Sequence, residues 1–95
     1  MKKEIVLTPE WVFTKTGTSC WADGEGNAKI SSQSSGIAKL IRLTLDSLEI
    51  SYKEDYFTDG YSNWYHRFIF RIDELMDDCP VLYRHLEVID QKLKN

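Results

Sequence analysis

Four side chains of this 95-residue chain could act as nucleophile, proton acceptor or soft metal ligand: Cys20, Cys79, His66 and His85. Structural zinc favours close ligand pairs, such as two cysteines about two to four residues apart. No two of the four have that spacing, and the step from Cys79 to His85 would not align both on one helix face. No metal and no cofactor is therefore expected. A Cys–His nucleophile would need the fold to bring two of these residues together, and no spacing points to it. Both thiols are expected to be reduced, buried and unreactive.

Two short motifs carry less than they suggest. Asp23-Gly24-Glu25-Gly26-Asn27 sets acidic or amide side chains at alternate positions, as a calcium loop does, with Ile30 in the apolar place. Ala28 stands where the sharp turn needs Gly, and Ser34 where a bidentate Glu belongs. The expectation is a glycine-rich hairpin loop. Lys15-Thr16-Gly17 matches one element of a penicillin-binding active site, without the Ser-x-x-Lys and Ser-Asp-Asn elements that must accompany it.

The segment over residues 49–72 reads as a β-hairpin, with apolar residues at even positions on both sides of the turn. Paired residues share a sheet face, so their numbers must sum to an even value. A three-residue loop, Asp59-Gly60-Tyr61, satisfies this. It pairs Tyr56 with Trp64, Tyr52 with Phe68 and Ile50 with Phe70, and sets Glu54 opposite His66. A carboxylate facing an imidazole could tune a proton acceptor, or simply satisfy two polar groups. The odd positions form the other face: Lys53, Asp55, Phe57, Tyr65, Arg67, Ile69 and Arg71. A solvated face would read Lys, Glu, Thr and Ser. This one carries residue types enriched at interface hot spots. The expected contact residues are Phe57, Tyr61, Tyr65, Arg67 and Arg71.

These residues must be held by the rest of the chain. Ile37, Leu40, Ile41, Leu45 and Leu48 fall at helical spacing, so residues 36–48 predict an amphipathic helix capped by Ser34 or Ser35. The competing reading, two short strands turning at Asp46-Ser47, is weaker because Ala, Lys, Leu, Arg and Glu favour helix. Pro80 and the series Leu82, Leu86, Ile89, Leu93 predict a second helix over residues 79–94. Residues 3–7 read as a strand. Thr8-Pro9-Glu10 could cap a helical turn or start a second strand, in which Trp11 and Phe13 alternate with Val12 and Thr14; the β-branched and aromatic residues favour the strand. Residues 18–22 and 28–31 read as a hairpin around the glycines. The expected fold is α+β: a small antiparallel sheet, including the hairpin at 49–72, packed by two helices, in one domain over residues 1–95. Tyr52, Phe68, Phe70, Leu45, Leu82, Leu86 and Ile89 are its expected core.

Charge narrows the function. Residues 1–53 hold seven Lys/Arg and six Asp/Glu, residues 54–95 five and nine, for a net charge of −3. A duplex-DNA binder usually shows a basic stripe and a high pI. Here nucleic acid could be held only by a local patch. No apolar run reaches the roughly 20 residues of a membrane span, and no secretory h-region follows Lys2-Lys3. The expectation is a small cytoplasmic protein-interaction or regulatory domain, not an enzyme, that binds a protein partner or itself as a homodimer. The alternative is a nucleic-acid-binding accessory protein that uses the aromatic and Arg face of the hairpin.

Overall fold

The computed structural model describes Val12, Phe13 and residues 19–94. Among these residues, β1 (Ser19–Ala22), β2 (Asn27–Ser32), β3 (Tyr52–Thr58) and β4 (Trp64–Arg71) form one antiparallel sheet in the order β1-β2-β4-β3. Helix α1 (Ser35–Ser47) joins β2 to β3. A 3-10 turn at Ile72–Leu75 leads from β4 to helix α2 (Pro80–Lys94). This is the expected α+β fold, with both helices within a residue of their predicted bounds.

The ends of α1 explain its limits. Ser34 is the cap, its Oγ accepting the Ile37 N–H at 3.2 Å. At the other end Glu49 turns left-handed, at φ 58°. Its N–H donates to the Asp46 carbonyl at 3.1 Å, and that of Ile50 to the Leu45 carbonyl at 3.0 Å. This is a Schellman closure, and both Ile50 and Leu45 are buried beside it.

Every strand register pairs odd with odd and even with even, so parity assigns a face across the whole sheet. Even positions meet the helices. Ala28, Ile30, Phe68 and Phe70 are buried with Ala38, Ile41 and Leu45 of α1 and Leu82 and Leu86 of α2. Of the expected core residues, Tyr52 and Ile89 are half-buried and pack against that cluster. Leu75 is a buried member that the strand and helix patterns did not single out; Cys79 is buried as expected, whereas Cys20 is half-buried.

Three expectations need correction or fall outside the description. The expected strand at residues 3–7 lies outside the described residues. After Thr8-Pro9-Glu10, the described Val12 and Phe13 are helical, the alternative to the favoured strand. Both are buried, Phe13 with its ring 6.0 Å from that of Phe70, whereas an alternating strand would turn one of them outward. The β3–β4 hairpin keeps the expected parity but is shifted by two. Tyr52 faces Phe70, Glu54 faces Phe68, Tyr56 faces His66 and Thr58 faces Trp64.

The loop is the cause of that shift. It spans residues 59–63 because the Asp59 carboxylate collects it, accepting the Tyr61 N–H at 2.7 Å and the Asn63 amide at 2.8 Å. Gly60 and Ser62 take positive φ, at 89° and 72°. Among the described residues, no helix is long and apolar enough to cross a membrane.

Candidate functional site: the open sheet face

Both described helices use the even face of the sheet, so the odd face is the one they leave. Its central row runs Trp21, Lys29, Ile69, Lys53 from edge to edge. The next row is Ser19, Ser31, Arg67, Asp55, and Tyr65 and Phe57 follow on the long hairpin alone. Trp21, Lys29, Phe57, Tyr65, Arg67 and Ile69 are all half-buried, so the face is neither core nor fully solvated.

Three of the expected contact residues form one cluster. The Phe57 and Tyr65 rings stack, with centroids 5.0 Å apart and planes 13° from parallel. The Arg67 guanidinium lies 5.0 Å from the Phe57 centroid and holds Asp55 with two bonds of 2.8 and 2.6 Å. Arg67 holds the Asp55 carboxyl below its ordinary value, against the opposing effect of burial and with help from Lys29. A guanidinium held by a carboxylate in this fork geometry is restrained in direction, and it packs against the Phe57 ring in that position.

Tyr61 is separate from that cluster. It sits in the five-residue loop at the hairpin tip and is 84% exposed. Arg71 is at the opposite end of β4, about 20 Å from Tyr65 at strand rise. It donates to the Glu25 carbonyl at 3.3 Å and lies 3.9 Å from Asp73. Gly26 takes φ 83°, which favours Gly, and a Cβ there would stand 2.9 Å from the Arg71 guanidinium and make it move aside. That loop is anchored in turn by Asp90, which accepts the Gly26 N–H at 3.1 Å and pairs with Lys94 at 3.1 Å. The Asp23 carboxylate is taken up by its own loop, by the amides of Glu25 and Asn27 and the Asn27 side chain.

The structure separates Glu54 from His66. Glu54 accepts two bonds from Arg42 of α1, at 2.8 and 3.0 Å, with Arg42 placed 5.9 Å over Phe68. His66 instead meets the Tyr56 ring edge-on at 5.0 Å, and Ser35 Oγ lies 3.5 Å from its Nε2. No described carboxylate orients this imidazole as a general base would require. Neither cysteine forms a disulfide. Burial pushes the Cys20 thiol up to about 12, far from a reactive thiolate.

Two groups of residues escaped the sequence reading. Trp21 and Lys29 join the odd face through the β2–β4 register, a non-local pairing with no signature in either segment. Tyr56 and Trp64, on the even face of the hairpin with the core residues, are 58% and 63% exposed. The reason is length. Helix α1 has 13 residues and spans about 20 Å, while the eight residues of β4 span about 27 Å. The far end of the hairpin therefore outruns its cover, and helix and strand lengths, both readable in the sequence, could have shown this. Compared with protein-family models, with curated proteins and with solved structures, the chain matches none.

Proposed function

We propose that the protein is a small cytoplasmic, non-catalytic binding module. Its open sheet face and the end of the long hairpin are the contact surface for a protein partner or a second copy. The observation that carries this is the Phe57–Tyr65 stack, braced by the Arg67–Asp55 pair on a face that neither described helix uses. Rigid aromatic side chains in fixed rotamers lose little entropy on binding, and Tyr and Arg are the types that concentrate binding energy. Tyr61, Trp64 and Tyr56 extend the surface around the tip, where exposed rings are a cost to solubility unless something covers them. A second reading, a single-stranded nucleic acid, is favoured by one observation. Lys29 and Lys53 share the central row with Trp21, and bases stack on rings beside cations.

Site-specific photo-crosslinking in the native cell tests the proposal. A benzophenone side chain at position 65 should give discrete protein adducts. The same group at position 88, on the exposed side of α2, should give none. Equal adducts from both positions, or none from position 65, would refute the protein-binding reading.

A further inference from the structure

We infer that the partner of this face is acidic, and that one of its carboxylates seats in the depression over Ile69, between Lys53 and Arg71. The inference rests on the binding reading above and names the chemistry of what is bound.

The depression encloses about 440 Å³ and is lined by Asn27, Ser51, Tyr52, Lys53, Ile69, Phe70 and Arg71. Two of these residues are cations and none is a carboxylate, in a chain whose net charge is −3. Lys29 flanks Ile69 on the other side. Among the described residues, the strand positions of the odd face hold Lys29, Lys53, Arg67 and Arg71 against Asp55, with Asp73 at the rim beside Arg71 and Asp23 near Lys29. The electrostatic asymmetry is thus local and directional: this face is basic while the molecule is acidic. It steers an anionic partner to this side and repels it from the others.

The cations differ in readiness. Arg67 is matched by Asp55, and Arg71 is fixed in direction by the Glu25 carbonyl while Asp73 stays 3.9 Å away. Lys53 has an exposed side chain and no ion pair among the described residues. A carboxylate between Lys53 and Arg71 would gain charge-assisted bonds, while its methylene stem rests on Ile69. A protein segment fits this better than a nucleic-acid strand. The Phe57 and Tyr65 faces are already turned on each other, which leaves less ring surface for bases.

The test is a nuclear magnetic resonance titration of the isotope-labelled full chain. The probes are end-blocked hexaglutamate and, separately, an oligothymidylate of matched charge. The inference predicts shifts at Asn27, Lys53, Ile69 and Arg71 with hexaglutamate, weakening as salt rises. Lys53→Glu, at an exposed position, should keep the spectrum of a folded chain and weaken hexaglutamate binding by about tenfold or more. Shifts that fall elsewhere, or binding that Lys53→Glu leaves unchanged, would overturn it. So would tighter binding of oligothymidylate at the same residues, which would make the anion a nucleic acid. Adducts from position 65 with no response to hexaglutamate would overturn the acidic-partner inference and leave the protein-binding reading standing.

Discussion

Asp90 decides how the first hairpin meets α2. Its side chain is buried, yet it stays ionised because the amides of the β1–β2 loop and the Lys94 ammonium point at it. Burial alone would raise its carboxyl. The Gly26 amide, Lys94 and the Gly24 amide outweigh that and hold it below the ordinary carboxylate value. The unfolded chain therefore takes up this proton first as the pH falls. The contribution is complete above about pH 4–5 and is lost as the pH drops through the folded value. Asp90→Asn should lower the melting temperature at neutral pH and flatten its decline in acid, both read from melts across a pH series. An unchanged acid limb would show that Asp90 does not set it. At the same scale, Cys20 and Cys79 should react slowly with a thiol reagent in the folded chain and fast in denaturant, followed by absorbance. Asp90 was not legible in the sequence. A lone Asp among helical residues reads as a solvated position, and only the meeting of two distant segments buries it.

The helices were readable because their stripes repeat at helical spacing and their caps stand in plain view: Ser34 before one, Pro80 at the head of the other. Leu86 is fully buried on α2, so Leu86→Ala should cost about 2–5 kcal/mol, measured by denaturant unfolding. A cost below about 1 kcal/mol would mean that α2 is not packed on this core. Glu49 closes α1 in the left-handed region, at φ 58°. An L-residue there costs about 1–2 kcal/mol, and Gly gives part of that back as unfolded-state entropy. Glu49→Gly should therefore stabilise the chain by roughly 0.5–1 kcal/mol. The hairpin was readable in parity and not in register. Period-two alternation fixes which residues share a face but is blind to a shift by two. The choice between loops fell to the Asp59 side chain and a left-handed Ser62, details that a count of apolar residues does not reach. With that shift the Glu54–His66 pair gave way to Glu54–Arg42, a contact between β3 and a helix.

For the whole molecule the question is whether the odd face is an interface or a lining. Phe57, Tyr65 and Arg67 are legible in the sequence because they lie close on one hairpin. Trp21 and Lys29 are not, because the β2–β4 pairing reaches across both α1 and β3. Tyr65→Ala/Arg67→Ala is the most direct test, read by its melting temperature and by retention of the partner crosslinked from position 65, or of a second copy. The Arg67–Asp55 pair contributes about 0–1 kcal/mol and the Phe57–Tyr65 stack about 0.5–1.5 kcal/mol, so the chain should still fold, with a melting temperature lower by no more than about 10–20 °C. Retention should fall by about tenfold, about 1.4 kcal/mol. A double variant that no longer folds would show that this face belongs to the core, and one that folds and retains its partner in full would show that it is only surface.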